Sequence, residues 1–180
     1  MPLTRIKSLG ITDGAIVGAD INSTFDLTGK TVTLPSGTGG KVLQVVNAST
    51  QTQTHSTSST YADTTLTASI TPSSASNKVL VLINQVMGKG NADNYINLQL
   101  LRGATAIGGT PDLSGSATYT GEGTYNYIGT GFSCSFLDSP NTTSSTTYKT
   151  QFNRGGSGGT TVTCQIDSGA SYITLIEIAG

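Results

Sequence analysis

Apolar and polar residues alternate along much of the chain after residue 40, and this two-residue period predicts β-strands. In one stretch Leu66, Ala68 and Ile70 fall on the same face, because successive side chains of a strand point to opposite sides of the sheet. Strands with one apolar face need a second layer to cover that face. The same period predicts strands in Tyr61–Thr71, Tyr95–Arg102, Tyr125–Asp138, Thr146–Asn153 and Thr161–Ile166.

Two further segments are apolar on both faces. Lys78–Met87 reads KVLVLINQVM, which predicts a central strand, and Ser171–Ala179 predicts a buried terminal strand. The two together carry more apolar surface than one sandwich core requires. This surplus favours burial between subunits of an oligomer. The alternative is a monomer that covers both faces internally.

Turn residues separate the predicted strands at spacings of roughly ten residues. Counting short partners such as Ala104–Ile107, the pattern predicts eight to ten strands and no helix. An all-β fold follows, and a jelly-roll-like β-sandwich is its natural packing. The turn and loop segments are Pro72–Asn77, Gly108–Thr124, Ser139–Asn141, Arg154–Gly159 and Asp167–Ala170.

Residues 1–40 differ from the rest, because no apolar stripe in them is long enough to form a stable element alone. We interpret residues 1–40 as an extended N-terminal arm that packs on a neighbouring subunit or larger assembly, and residues 41–180 as the β-sandwich domain. The alternative is a tail without contacts. The apolar residues expected to attach the arm are Leu3, Ile6, Leu9, Ile11, Ile16, Val17, Ile21, Val32 and Leu34.

Composition and charge narrow the functional classes. Charged residues make up 11% of the chain, its net charge is −1, and no basic stripe occurs, so nucleic-acid binding is not expected. Neither a secretory signal nor a run of about 18 apolar residues is present, so no membrane insertion is expected. The sequence fits a chain made and assembled in the cytosol.

The residues that could carry chemistry are few. His55, the single histidine, lies in a Thr/Ser tract, so we expect it to be exposed and no Ser–His–Asp triad to form. Cys134 and Cys164 are predicted to be buried thiols rather than a disulfide or zinc ligands. In one possible arrangement they are neighbours across the sandwich. We therefore expect no catalytic site, metal or cofactor. An acid pair of Asp112 with Glu122 is the enzymatic alternative, and solvated loop acids are the simpler reading.

Surface binding has more support than catalysis. Tyrosine combines an apolar ring with a polar tip, which suits stacking on sugars or on partner surfaces. In the alternative reading, the tyrosines next to the strand pack beneath the long loop. The candidate contact residues are Asp112, Tyr119, Glu122, Tyr125 and Tyr127 around the long loop and Arg154 in the second loop.

Several segments resemble structural proteins of tailed bacteriophages, especially marine ones. The segments are LTRIKSLGITDGAIVGADI and TVTLPSGTGGKVLQVV near the start, then SITPSSASNKVLVLI, LLRGATAIGG, SFLDSPNTTSSTTYKTQF and the ending YITLIEIAG. They are spread over nearly the whole length of the chain and contain turns and strands, with no catalytic signature. The resemblance implies a virion location after synthesis in the host cytoplasm, and often a homotrimer.

Three functional hypotheses follow. The first is a trimeric, fibre-like or surface-displayed module, attached to other virion proteins through its arm, whose loops touch a host surface glycan. The second is a capsid decoration protein that staples major capsid subunits; the short chain favours it, since fibres usually carry a long shaft. The third is a carbohydrate-binding module or sugar hydrolase.

Overall fold

Two antiparallel sheets form the body of the protein. The computed structural model describes residues 41–90, 94–108, 114–116, 128–157 and 159–180. The predicted arm, with all nine of its apolar attachment residues, lies outside these ranges.

Eleven strands occur in the described part of the chain, one more than the upper limit of the prediction. The count exceeds the prediction because a strand of three residues is too short to show a two-residue period in the sequence. The strands are β1 (Val42–Thr50), β2 (Thr54–Ser56), β3 (Ala62–Ile70), β4 (Lys78–Lys89), β5 (Asn94–Arg102), β6 (Thr105–Ile107), β7 (Ser114–Ser116), β8 (Ile128–Asp138), β9 (Thr146–Gly156), β10 (Val162–Cys164) and β11 (Ser171–Ile178), with a 3-10 turn at Ile166–Ser168.

The order of the strands identifies the jelly roll. In the first sheet, β1 pairs with β11, β11 pairs with β4, and β8 pairs with the other edge of β4. Beyond the end of β11, β10 and then β2 continue that sheet. The second sheet runs β3-β9-β5, with β6 and β7 on the free edge of β5. The main orders 1-11-4-8 and 3-9-5-6 are those of a jelly-roll sandwich, so the predicted fold class is confirmed.

The predicted inward faces are correct. Leu66, Ala68 and Ile70 on β3 are buried, and so are Leu98 and Leu100 on β5. The strand predicted as central is β4, which pairs along both edges. Its inner side chains pack in the core, as do alternating residues of β9 and β11; the first core cluster contains Leu66, Ala68, Ile70, Val79, Val81, Ile83, Leu100, Tyr148, Ile173 and Leu175.

A second apolar cluster lies farther along the same strands. It contains Met87 on β4 and Phe152 on β9, together with Ile96, Leu98, Val162 and Cys164. On each of β4 and β9, one polar residue separates the two clusters: Gln85 on β4 and Thr150 on β9. Both polar side chains are completely buried, so the sandwich contains an internal polar layer.

Hydrogen bonds satisfy this polar layer. Thr150 Oγ1 donates to Gln85 Oε1 at 2.8 Å and lies 2.5 Å from Thr64 Oγ1. The side-chain amide of Gln165 is assigned the orientation in which both its nitrogen and its oxygen have hydrogen-bond partners. In that orientation its nitrogen donates to the Thr64 carbonyl at 2.9 Å, and its oxygen accepts from Gln85 Nε2 at 3.0 Å. Buried polar groups cost stability unless they are bonded in this way.

Backbone irregularities bring this layer together. The register of β3 against β9 shifts between Asp63 and Thr67, and Thr65 inside this bulge has a positive φ of 67°. Because of this shift, residues 64–66 lie opposite Thr150 alone, and the two inward residues Thr64 and Leu66 face one inward residue of β9. Gln165 also has a positive φ, 55°, at the end of β10. Such conformations are uncommon for residues other than glycine, and here the buried bonds of Thr64 and Gln165 hold them.

Three predictions about particular segments or residues are wrong. The loop predicted at residues 108–124 contains β7, which pairs with β5. The hairpin predicted at residues 154–159 is a connection between the two sheets, because β9 continues to Gly156 and pairs with β5, whereas β10 pairs with β2 and β4. The cysteines do not face each other across the sandwich. Both belong to the first sheet, on opposite edges of β4: Cys134 pairs with Ile83 and Cys164 with Met87.

Leu98→Ala should destabilise the protein by about 2–5 kcal/mol, because it leaves a cavity between the sheets. The matched control is Gln99→Ala, one residue along β5 on the outer face, which should cost about 1 kcal/mol or less. Chemical denaturation monitored by circular dichroism measures both free energies of unfolding. Equal losses in the two variants would contradict the inward assignment of Leu98.

Candidate functional site

The residues predicted to contact a host surface are only partly described. Asp112, Tyr119, Glu122, Tyr125 and Tyr127 lie outside the described residues, and so does the acid pair of Asp112 with Glu122. Arg154 is the one of the six predicted contact residues that lies in the described part of the chain.

Arg154 is half-buried on β9 and joins segments of the body. Its Nε donates to the Thr57 carbonyl at 2.8 Å and its Nη1 to the Gly156 carbonyl at 2.9 Å. Its backbone N–H donates to the Ser58 carbonyl at 2.9 Å. These bonds tie β9 to the connection between β2 and β3, so the side chain already has a structural role.

Glu177 is a buried carboxylate, and its hydrogen-bond donors in the described part of the chain are all neutral. It lies on the inner face of β11 and is fully shielded from solvent. Its Oε2 accepts from Gln44 Nε2 at 2.5 Å, and its Oε1 accepts from Asn77 Nδ2 at 2.6 Å. The N–H and hydroxyl of Ser73 also donate to Oε1, at 2.7 and 2.8 Å. One side chain thus joins β1, the β3–β4 turn and β11.

The hydrogen bonds decide the charge state of Glu177. Burial by itself would raise the pKa of this carboxyl, but the donors of Asn77, Gln44 and Ser73 outweigh burial and lower the pKa to about 2. The carboxylate therefore stays ionised in the folded protein at any pH well above 2. Sequence reasoning gave no role to this acid. The available signal was its inward position in an otherwise apolar strand, since an acid there needs donors.

A second carboxylate connects the two sheets. Asp138, at the end of β8, accepts from Arg102 Nη1 at 2.9 Å and from the Tyr148 hydroxyl at 2.6 Å. Arg102 and Tyr148 belong to β5 and β9 of the second sheet. Burial and the bond to Asp138 raise the pKa of the Tyr148 hydroxyl, so this hydroxyl remains a donor at neutral pH. The three side chains form a clasp at one end of the sandwich.

The outer face of the second sheet is polar. Asn97 donates to Asn153 at 2.9 Å, and Gln99 donates to Gln151 at 2.8 Å across the same pair of strands. Gln151 in turn donates to Asp63 at 2.8 Å. Hydrogen bonds from Lys149 and Gln151 lower the pKa of Asp63. This face is therefore a ladder of mutually bonded amides and ions.

The outer face of the first sheet is apolar by comparison. The strand registers place Val45 beside Ile176, Ile176 beside Leu80, and Leu80 beside Leu137. These four residues form one continuous row across β1, β11, β4 and β8, which we call the apolar row. Val45 is 59% exposed and Leu137 is 50% exposed.

The histidine and the thiols show no catalytic arrangement in the described part of the chain. His55 is exposed, as expected, and its Nδ1 lies 3.0 Å from Thr163 Oγ1. Both cysteines are free; Cys164 is buried and Cys134 half-buried. Within the described ranges, no group of three or more His, Cys, Asp or Glu side chains could hold a metal ion, and no helix has the length and apolar character needed to cross a membrane.

Comparison with protein-family models finds no match, and comparison with curated proteins finds none either. Among solved structures, the chain is similar to chains in particles of infectious bursal disease virus. The Gx strain structure gives a TM-score of 0.41 at 13% identity, covering 76% of this chain and 32% of that chain. The Gt strain structure gives 0.39 at 10%, covering 83% and 42%, and the T13 particle of this virus gives 0.40 at 11%, covering 83% and 40%. This chain spans less than half the length of those chains.

Glu177→Gln should lower the melting temperature at pH 7, because an amide NH₂ replaces an acceptor that faces several donors. The effect should depend on pH. The folded pKa is lowered to about 2 from an unfolded value of about 4.3, so the stabilisation is present above that value and is lost as pH falls toward 2. Melting curves from pH 7 to pH 2 measure this difference.

The matched control for that series is Asp167→Asn, at an exposed acid in the turn before β11. It should leave the melting temperature nearly unchanged across the pH range. We call the hydrogen bonds of Glu177 to Gln44, Ser73 and Asn77 the Glu177 clamp. If wild type and Glu177→Gln lose stability in parallel between pH 4.5 and pH 2, the stabilising role of this clamp is wrong.

Both thiols should react slowly with a water-soluble disulfide reagent in the native protein. Burial raises the pKa of Cys134 and of Cys164, so little thiolate is present near neutral pH. Cys134 should react faster, because it is only half-buried. Comparing Cys134→Ala with wild type separates the two rates, and full reactivity in denaturant is the control. Rapid native reaction of Cys164 would show that the second core cluster opens.

Proposed function

We propose that this protein is a non-enzymatic structural component of a tailed-bacteriophage virion, displayed on its surface as a homotrimeric, fibre-like β-module. The sequence resemblance to phage virion proteins, whose segments are spread over nearly the whole length of the chain, supports this proposal. The jelly-roll body supplies a compact unit for display. In this proposal residues 1–40 attach the module to other virion proteins of the capsid or tail.

The observation that carries the proposal is that three acidic side chains of the described body join strands to one another. Asp63 pairs with Lys149 at 2.9 Å across β3 and β9. Asp138 joins the two sheets, and Glu177 joins β1, β11 and the β3–β4 turn. These three carboxylates of the described body are thus occupied in holding strands together, which suits a protein selected for cohesion.

The position of the Glu177 clamp suits attachment through the N-terminal segment. Residues 1–40 lead directly into β1, and Gln44 on β1 bonds to Glu177 on β11. β1 and β11 also share an antiparallel ladder from Val42 to Thr50. A force applied through residues 1–40 therefore passes from β1 into β11, and from β11 into the central strand β4.

In the finer form of the proposal, residues 108–124 and 154–159 contact a glycan on the host surface. Capsid decoration is the alternative assignment, in which the same body stands on the head and the arm staples capsid subunits.

Immunogold electron microscopy of purified virions tests the location. We expect label at the tail for the fibre-like module. Label over the whole head would replace that assignment with decoration, and unlabelled virions would contradict the structural role altogether. Binding of the purified protein to host cells and glycan arrays tests the glycan contact, and lack of adsorption contradicts it.

Deleting residues 1–40 tests the attachment role. We expect the shortened protein to disappear from purified virions while the full-length chain is incorporated. A matched full-length control replaces Gln99 with Ala on the outer face of the second sheet and should be incorporated normally. Circular dichroism of the shortened protein must show the same β-sheet spectrum; incorporation of a folded, armless protein would refute the attachment role.

A further inference from the structure

The exposed apolar side chains of the described body are concentrated on one surface. Six large hydrophobic residues are exposed in the part of the chain that the structure describes. By register, Val42, Val45, Leu137 and Tyr172 belong to the outer face of the first sheet. Leu43 lies at the register shift of β1, and Tyr95 alone belongs to the second sheet. Clustering of this kind marks an interaction site.

We propose that the outer face of the first sheet, centred on the apolar row Val45–Ile176–Leu80–Leu137, packs against a second copy of this chain. The inference deepens the proposed function, on whose self-association it rests, by naming the surface that makes the contact. Two sheets packed face to face bury interleaved side chains, and the half-buried Leu80 and Ile176 lie at the centre of the row.

The size of the face fits a specific contact between copies. Four strands at about 4.8 Å spacing and about eight residues at about 3.4 Å each give roughly 20 by 27 Å, or about 500 Å² per copy. Two such faces bury about 1,000 Å² together, which is the lower bound for a specific interface.

The charge distribution favours a copy of the same chain over a charged partner. Lys78, at a corner of the face, is the one charged side chain that the described registers place there. The row next to the apolar row carries Asn47, Thr174, Leu82 and Ser135, which are neutral. Two copies can therefore approach without repulsion between like charges. A strongly acidic or basic partner would find almost nothing to pair with.

The decisive experiment is sedimentation equilibrium of the full-length chain and of two variants. Val45→Lys combined with Leu137→Lys places charges at both exposed ends of the apolar row. Tyr95→Lys is the matched control, because it changes an exposed apolar residue on the opposite sheet. We expect wild type and the control to sediment as a dimer or trimer of the 18.4 kDa chain, and the double variant as a monomer with an unchanged β-sheet spectrum.

Three outcomes would overturn the inference. The first is a wild type that remains monomeric up to high concentration. The second is a double variant that keeps the wild-type mass, which would place the contact elsewhere. The third is a monomeric wild type whose double variant melts at lower temperature, since that result assigns the face to another segment of the same chain.

A cysteine pair provides a second, independent measurement. Thr174→Cys puts a thiol on the proposed interface and Gln99→Cys puts one on the opposite face, both in a Cys134→Ala background. Mild oxidation should cross-link the Thr174→Cys chains and leave the Gln99→Cys chains uncoupled. The reverse pattern contradicts the proposal.

The result is separable from the proposed function. A protein that is oligomeric in the wild type and monomeric in the double variant, yet absent from virions, leaves the interface standing and removes the virion role. A protein that is labelled on virions but monomeric in solution leaves the virion role standing and removes the interface.

Discussion

Backbone pairing along both edges of β4 is the constraint on which the first sheet depends. This strand bonds to β8 on one edge and to β11 and then β10 on the other. A strand in that position leaves few of its backbone polar groups for water, so its side chains can be apolar on both faces. The inner face fills the core, and the outer face becomes the centre of the apolar row.

The buried polar groups show how the sandwich keeps one arrangement of its strands. Gln85 and Thr150 interrupt the apolar core at the same level of both sheets, and Thr64, next to the register shift of β3, bonds to Thr150. A slip of one residue would point each of these side chains outward and place a neighbour inside. The polar layer therefore specifies register, while the apolar clusters supply most of the stabilisation.

The two outer faces differ in what they offer to a partner. Amides and ions of the second sheet satisfy one another, from the Asn97–Asn153 pair to Asp63. The first sheet presents Val45 and Leu137 to solvent instead. This asymmetry is what the proposed contact between copies requires, with the first sheet available for packing and the second sheet left in water. It also shows where the apolar residues in excess of the core lie.

Much of the fold could be predicted from the sequence, because alternation directly reports which side chains share a face. The faces of β3, β5 and β9, the central position of β4 and the jelly-roll class all follow from local pattern. The three-residue strand β7 could not be predicted, since three residues carry no readable period. The extension of β9 to Gly156 was missed because its glycines read as a loop, while pairing with β5 keeps them in the sheet.

The amino-acid sequence by itself determined the inward and outward sides of the longer strands, since that depends only on neighbouring residues. The tertiary structure alone decided which distant residues meet. Glu177 finds Gln44 from 133 positions away, and Asp138 finds Arg102 and Tyr148 from two other strands. Such partners depend on strand order and register. These are properties of the packed whole, which no local pattern encodes.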